Sequence, residues 1–278
     1  MIPFNFDYYR PDTLEEATRA YRELDSRSLE PVYYSGGSEI ISMARVHNIY
    51  TKAVIDLKAI PECNVLEFRE DRLFIGSSVT LSRISEENPY PLLSKACSRI
   101  ADHTMQCRIT IGGNLGGTII YREASLPLLL SDCEVIVTSS GSLSRVPLAE
   151  VFRERLLLPR GEFIVQFVIR KEYAAVPYVH VKKTRNEKID YPLVSVAALK
   201  KDGRIRLALS GVCPFPFRSA DIEDRLNDMN DSWGIRIDKA LEYLPAPILN
   251  DISGSNGYRK FVLKNTLLNT LRTLEAMH

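Results

Sequence analysis

Cysteine is scarce in this sequence and never occurs in a metal-binding pattern. The 278 residues include five cysteines, and no two of them form a Cys-x-x-Cys pair. This spacing supports neither a zinc site nor an iron–sulfur cluster, so we expect free thiols and no metal ligands. The four histidines are also isolated, and no nucleophile–histidine–acid arrangement is recognisable. We therefore predict no catalytic side chain in this chain.

The sequence also lacks an excess of charge of one sign and any long apolar run. Its formal net charge is +1, from 36 basic and 35 acidic residues, which argues against binding nucleic acid or a membrane surface through bulk charge. The longest apolar stretches, Leu126–Leu130 and Val194–Leu199, are far too short to span a bilayer. The first residues show no basic segment and no long apolar core, so we predict no signal peptide and a cytoplasmic protein.

Two common nucleotide-binding motifs are missing, but two glycine pairs are present. The sequence contains neither a Gly-Lys-Ser/Thr loop nor Gly-x-Gly-x-x-Gly. Instead, Ser-Gly-Gly-Ser at 35–38 separates a strand-like run from a helix-like stretch, and Thr-Ile-Gly-Gly-Asn occurs at 110–114. Glycine pairs flanked by hydroxyl groups let backbone N–H groups converge on an anion. Two of them indicate a ligand with two phosphates, or one diphosphate held from both sides, although each alone is also compatible with an ordinary tight turn.

The distribution of apolar residues predicts an α+β chain with two domains. A first domain at 1–158 has two subdomains, a β-α-β unit at about 1–57 and a second unit at 58–158, where one predicted hairpin turns at Gly141. Beyond it, strand-like segments follow one another directly, which favours an antiparallel sheet with helices in a C-terminal domain at 159–278. The strands predicted there are Phe163–Ile169, Tyr178–Lys183, Leu193–Lys200 and Arg204–Ser210, and the helices are Ser219–Met229, Trp233–Tyr243 and Tyr258–Ala276.

The two glycine runs resemble those of a known family. The run at 35–40 looks like the first flavin-diphosphate loop of the FAD-binding subunits of molybdenum hydroxylases, a group that includes xanthine dehydrogenase and carbon monoxide dehydrogenase. The run at 110–114 is similar to the second loop of that group. The likeness continues in the same order at Tyr9–Pro11, Glu162–Ile169, Gly211–Arg218 and Ser255–Arg259.

The resemblance implies a two-part α/β FAD-binding domain of the PCMH type, followed by a C-terminal domain with an antiparallel sheet and helices. It implies FAD as the cofactor, with the diphosphate held by backbone N–H groups rather than by arginine. Glu123 stands where the family usually has aspartate, and Lys182 matches a lysine that reaches back from the C-terminal domain. The cofactor-binding residues implied in this way are Tyr34, Ser35, Gly36, Gly37, Ser38, Glu39, Ile40, Ile100, Thr110, Gly112, Gly113, Asn114, Glu123, Leu157 and Lys182.

The function implied by the resemblance is electron transfer within a heteromeric enzyme. Electrons would reach FAD from an iron–sulfur subunit and a molybdopterin subunit, and would pass to NAD or another acceptor. Purines are the commonest guess for the substrate of such enzymes, as in xanthine dehydrogenase, but nothing in this sequence identifies a purine. Two alternatives stay open: a stand-alone flavin oxidoreductase, and a cofactor-free structural subunit. The second is suggested by Glu123 and by the altered segment at 116–122.

Overall fold

The computed structural model of the chain describes residues 2–139, 142–186 and 189–277, so the hairpin turn predicted at Gly141 lies outside the described residues. The strands of these residues form three sheets, which follow one another along the chain. The strands are β1 (Asp7–Tyr9), β2 (Val32–Tyr34), β3 (Ala53–Asp56), β4 (Leu66–Arg69), β5 (Arg72–Gly76), β6 (Glu134–Ser139), β7 (Ser142–Pro147), β8 (Ile164–Arg170), β9 (Tyr178–Thr184), β10 (Pro192–Lys201), β11 (Arg204–Ser210) and β12 (Phe217–Arg218). The helices are α1 (Leu14–Ser26), α2 (Ser38–Arg45), α3 (Leu81–Glu87), α4 (Pro91–Cys97), α5 (His103–Gln106), α6 (Ile111–Gly116), α7 (Ser125–Leu130), α8 (Leu148–Val151), α9 (Ala220–Leu226), α10 (Trp233–Ala240) and α11 (Asn256–Ala276).

The N-terminal unit is a parallel sheet in the order β1-β3-β2, with α1 and α2 as crossovers. Helix α1 begins at the N-cap Thr13, whose hydroxyl accepts a hydrogen bond from the Glu16 N–H. Its buried residues are Leu14, Ala17, Thr18, Tyr21 and Leu24, a spacing that puts them on one helical face against the sheet. The chain leaves β2 and β3 at the same edge of this sheet, where parallel α/β units commonly bind ligands.

The central unit is a five-stranded antiparallel sheet in the order β4-β5-β8-β6-β7, packed against the short helices α3 to α7. Strand β8 pairs with both β5 and β6, although the sequence predicted a domain boundary at 158/159. The boundary at 158/159 stays a prediction. Because β8 belongs to the central sheet, we propose that the boundary lies at the end of β8, at Arg170.

The C-terminal unit is an antiparallel sheet in the order β12-β11-β10-β9, with α9, α10 and α11 on one face. Strand β10 is buried on both sides, because alternate side chains point to opposite faces. Val194 and Val196 pack toward α11, whereas Ala197 and Leu199 join the core of the central unit. This two-sided burial explains the continuous apolar run in the sequence. Among the described residues, no helix combines the length and the apolarity needed to cross a membrane.

Candidate functional site

A cleft of about 720 Å³ opens where the three units meet. Every residue of the predicted cofactor-binding set lines it except Leu157, which is 46% exposed and lies outside the lining. The preceding residue, Leu156, lines the cleft instead. The fold therefore brings the two glycine runs and the distant Glu123 and Lys182 together at one cleft. A cofactor contact by Leu157 stays a prediction.

Loop 1, residues 35–40, connects β2 to the first turn of α2. Gly37 is the N-cap of α2, and its φ of +69° is the left-handed conformation that favours glycine. A Cβ at Gly36 would lie 1.8 Å from the carbonyl oxygen of Arg108, two residues before Thr110. The glycines therefore serve two purposes, since one makes the turn and the other lets the two loops touch.

Loop 1 leaves hydrogen-bond donors unused. The first intrahelical bond of α2 runs from the Ile41 N–H to the Gly37 carbonyl, and the N-cap has no side chain that could accept from the earlier N–H groups. The N–H groups of Ser38, Glu39 and Ile40 therefore have no acceptor within the described chain. The buried Ser38 hydroxyl has no partner among the same residues. A helix N-terminus of this kind is suited to an anion such as a diphosphate.

Loop 2, residues 110–114, differs from the expected cradle of free N–H groups. Thr110 is the N-cap of α6, and its hydroxyl accepts from the Gly113 N–H at 3.1 Å. The Gly112 N–H donates to the Ser77 carbonyl at 2.9 Å, and the Asn114 N–H donates to the Thr110 carbonyl at 2.8 Å. These donors are already used inside the protein. Loop 2 therefore forms a close wall of the cleft rather than a second donor set.

The acidic residue of loop 1 is directed toward the segment that follows loop 2. The Thr118 N–H and hydroxyl donate to Glu39 Oε1 at 2.5 and 2.6 Å. A Cβ at Gly117 would lie 2.3 Å from Glu39 Oε2, so a side chain there would collide with the carboxylate. These hydrogen bonds bind the carboxylate of Glu39 to the 116–122 segment. They link the two sides of the cleft and compensate part of its negative charge.

Glu123 and Lys182 form a buried ion pair at the cleft wall. Lys182 Nζ lies 2.7 Å from Glu123 Oε2, and it also donates to the Arg99 carbonyl at 2.8 Å. Only 2% and 4% of the lysine and glutamate side chains are exposed. Burial raises the pKa of Glu123, and the adjacent lysine opposes that shift. The sequence predicted two separate cofactor contacts, whereas the structure shows that the two residues are also each other's partners.

Sequence reasoning missed an aromatic pair in the cleft. The rings of Tyr121 and Tyr191 stack with their centroids 4.8 Å apart and their planes at 14°. Both residues line the cleft, and Tyr191 precedes β10 in the C-terminal unit. Since the two residues are far apart in the sequence, no local pattern indicates their contact.

An anchor beneath loop 1 was also missed, and it consists of Tyr8, Ser35, Asp56 and Lys58. Lys58 Nζ donates to the Ser35 carbonyl at 2.9 Å and to Asp56 Oδ2 at 2.7 Å. The Tyr8 hydroxyl donates to the same carboxylate at 2.5 Å. Burial acts to raise the pKa of Asp56, but the hydrogen bonds from Lys58 and Tyr8 outweigh it and lower that pKa. The ends of β2 and β3 bring Ser35 close to Asp56 and Lys58, because the two strands are parallel neighbours. Tyr8 comes from β1, which pairs with the other side of β3.

Comparison with known proteins identifies the family of this fold and site. Residues 4–170 match the family described as "FAD binding domain in molybdopterin dehydrogenase". The chain belongs to this family. The resemblance predicted from the two glycine runs is confirmed, and the chain contains an FAD-binding domain of the molybdopterin dehydrogenase type.

Relatives of this chain include subunits of dehydrogenases. The chain is 28% identical over 167 residues to caffeine dehydrogenase subunit beta of Pseudomonas sp. (strain CBB1), covering 59% of this chain and 52% of the relative. It thus spans about half the length of that protein. It is 24% identical over 243 residues to the carbon monoxide dehydrogenase medium chain of Hydrogenophaga pseudoflava, covering 81% of each.

The fold agrees with a solved structure along almost the whole chain. The match is to a carbon monoxide dehydrogenase from Hydrogenophaga pseudoflava, with a TM-score of 0.85 and 22% identity over 99% of both chains. An identity this low establishes the fold alone. The predicted α+β fold class is therefore confirmed.

Proposed function

We propose that this chain is the FAD-binding, electron-transferring subunit of a heteromeric molybdenum hydroxylase. The observation that carries the proposal is loop 1, whose unused N–H groups and buried Ser38 hydroxyl face a close wall made by loop 2. That donor set suits a diphosphate, and no protein group competes for it within the described chain. Bound FAD supplies exchange between one-electron and two-electron carriers.

Each part of the cleft has a task in this proposal. The first-turn N–H groups of α2 would hold the diphosphate, and Ser38 would donate a further hydrogen bond. Loop 2 would exclude water from the opposite side, since its glycines carry no side chains into the cleft. Lys182 and Glu123 would meet the ligand deeper in the cleft as a pair of compensating charges. Tyr121 and Tyr191 would offer aromatic faces to a planar ring system.

The proposed partners are an iron–sulfur subunit and a molybdopterin subunit, in a cytoplasmic complex. Support comes from the relatives, which are named as a subunit beta and a medium chain of dehydrogenases. For the substrate we favour a purine of the xanthine type, because caffeine is itself a methylated xanthine. We further propose NAD as the electron acceptor, which would receive electrons from the flavin within the same complex.

Cofactor identity is the first test. Purified chain is incubated with FAD or with FMN, freed of excess flavin, denatured, and its released flavin is identified by chromatography. We expect FAD at near one equivalent and no retained FMN. Retention of FMN alone, or of no flavin, would contradict the proposal, and the second result would favour the cofactor-free structural subunit.

Partner identity is the second test. A tagged chain is isolated from its native host, and the proteins that accompany it are identified by mass spectrometry. An iron–sulfur protein and a molybdopterin protein in fixed ratio are expected. A flavin-loaded chain that is isolated alone and oxidises a substrate by itself would instead support the stand-alone oxidoreductase.

A further inference from the structure

A fully buried arginine joins two strands beside the cleft. Arg259 lies in the first turn of α11 and is 0% exposed. Its guanidinium donates to the Leu193 carbonyl at 2.8 Å and to the Gly211 carbonyl at 2.7 Å. It also forms a bidentate pair with Asp251, at 2.7 and 2.8 Å. A buried charge of this kind is stable only when its hydrogen-bonding capacity is well satisfied, so this joint is closely specified.

Two of the carbonyl groups that Arg259 binds, those of Leu193 and Gly211, lie close in the chain to residues that contact the stacked tyrosines. Leu193 is two residues after Tyr191, at the start of β10. Gly211 directly follows Ser210, whose hydroxyl donates to the Tyr121 carbonyl at 2.6 Å. Since Tyr121 and Tyr191 stack on each other, the contacts form a closed ring through the arginine.

The ring of contacts matters because Tyr191 is largely exposed and, among the described residues, stacks on Tyr121. Its side chain is 60% exposed, so burial does not fix its position. The strand ends below it are pressed close together: Gly211 has a φ of +76°, and a Cβ there would lie 2.6 Å from the Pro192 carbonyl oxygen. The position of Tyr191 therefore depends on the stack itself and on the strand start that Arg259 binds.

We propose that Arg259, with Asp251 as its counter-ion, is a positioning residue that fixes Tyr191 against Tyr121 and so shapes the aromatic wall of the cofactor cleft. The inference rests on the proposed FAD function. It also gives a role to the Gly211 turn and to the Tyr-Arg start of the last helix, two sequence features that lie outside the cleft.

The test compares Arg259→Lys with Arg236→Lys. Arg236 is a matched control, since it is 2% exposed, pairs with Glu275 at 2.7 Å and lies in the same unit on α10, outside the cleft lining. We expect Arg259→Lys to raise the dissociation constant for FAD about fivefold or more and to change the visible circular dichroism of bound flavin. Arg236→Lys should do neither, although both variants lose stability.

A double-mutant cycle with Tyr191→Ala separates positioning from general destabilisation. If Arg259 acts through Tyr191, the effect of Arg259→Lys on FAD affinity should fall below about twofold in the Tyr191→Ala background. An undiminished effect there, or equal effects of the two lysine variants, would overturn the inference. Should Arg259→Lys fail to fold, Asp251→Asn takes its place in the same cycle.

A cofactor-independent measurement keeps this test distinct from that of the proposed function. Amide hydrogen exchange in residues 189–195 is followed by mass spectrometry in the flavin-free chain. Faster exchange in Arg259→Lys, and unchanged exchange in Arg236→Lys, supports the inference even if the parent chain binds no FAD, a result that would refute only the proposed function. Exchange unchanged in both variants would refute the positioning role.

Discussion

The two glycine loops of the cleft have similar sequences and opposite hydrogen-bonding roles. Loop 1 leaves the N–H groups of its first helical turn without protein acceptors, whereas loop 2 uses its N–H groups internally. Loop 1 can therefore supply donors to an anion. The glycines of loop 2 have no side chains, so the backbone of this loop lines the cleft directly. Both Gly-Gly runs line the same cleft, but the shared pattern does not predict how each loop uses its backbone N–H groups.

The position of the hydroxyl residue explains the difference. In loop 2, Thr110 precedes the glycines at the N-cap and accepts from its own helix. In loop 1 the N-cap is Gly37, which has no side chain, and Ser38 follows it inside the helix. Ser35 precedes the glycines too, but its hydroxyl donates to the Ser78 hydroxyl at 2.9 Å instead. A hydroxyl residue at the N-cap accepts from its own helix, as in α6. In α2 the hydroxyl residue stands one position after the N-cap, so the first N–H groups keep no acceptor from the N-cap side chain.

The largest effect is expected where the two loops touch. Gly36→Ala places a Cβ 1.8 Å from a backbone oxygen of Arg108, so one loop has to move. We expect the free energy of unfolding to fall by roughly 3 kcal/mol, at the upper end for overpacking, with loss of FAD binding. Gly234→Ala is the control, because nothing lies within 4 Å of a Cβ there. Equal urea midpoints for the two variants would mean that the loops are not in contact.

The next effect distinguishes the two glycines of loop 2. A Cβ at Gly113 meets only the Thr110 hydroxyl at 2.9 Å, whereas one at Gly112 meets the Ser77 carbonyl oxygen at 2.8 Å and its Cβ at 2.7 Å. Gly113→Val should therefore weaken FAD binding about 100-fold in a folded chain. Gly112→Ala should instead cost about 1–3 kcal/mol of stability. Thermal unfolding and flavin titration of both variants check this division, and unchanged FAD affinity in Gly113→Val would refute the wall assignment.

Some features of the cleft can be predicted from the sequence, and others depend on tertiary packing. The glycine runs and the antiparallel C-terminal strands are local patterns, and a fixed spacing made them recognisable. The contact between Lys58 and Ser35 joins residues 23 apart through the packing of parallel strands, so no local spacing indicates it. The stack of Tyr121 on Tyr191 depends on how the central unit meets the C-terminal sheet. Such contacts follow from tertiary packing, which the periodicity of one sequence does not specify.

A smaller effect compares the hydroxyl groups of the two loops. Ser38→Ala removes a buried hydroxyl that has no partner in the described chain, so stability should stay unchanged while FAD affinity falls about tenfold. Thr110→Ala removes an N-cap and should cost about 1 kcal/mol of stability. Urea unfolding without flavin and flavin titration separate the two outcomes. Stability loss in Ser38→Ala equal to that in Thr110→Ala would mean that loop 1 also caps itself.

The smallest effect is a difference in pH dependence between the loops, because loop 1 has a titrating anchor and loop 2 is capped by a hydroxyl. A carboxyl whose folded pKa is lowered, as for Asp56, stabilises the protein fully above its unfolded pKa of about 3.9. That contribution is lost as the pH falls through the lower folded pKa. Solvent screening at Lys58, whose side chain is 43% exposed, limits it to the order of 1 kcal/mol.

The measurement is urea unfolding of the flavin-free chain from pH 7 to pH 3, in the parent and in Asp56→Asn. The variant should be less stable than the parent at pH 7, and the difference should narrow as the pH falls below the unfolded pKa of about 3.9, because the unfolded parent chain then takes up a proton on Asp56. Thr110→Ala serves as the comparison, because its stability deficit should be the same at every pH in this range. A deficit of Asp56→Asn that is equally independent of pH would show that the charge of the carboxylate does not stabilise loop 1, and that both loops are held by neutral hydrogen bonds.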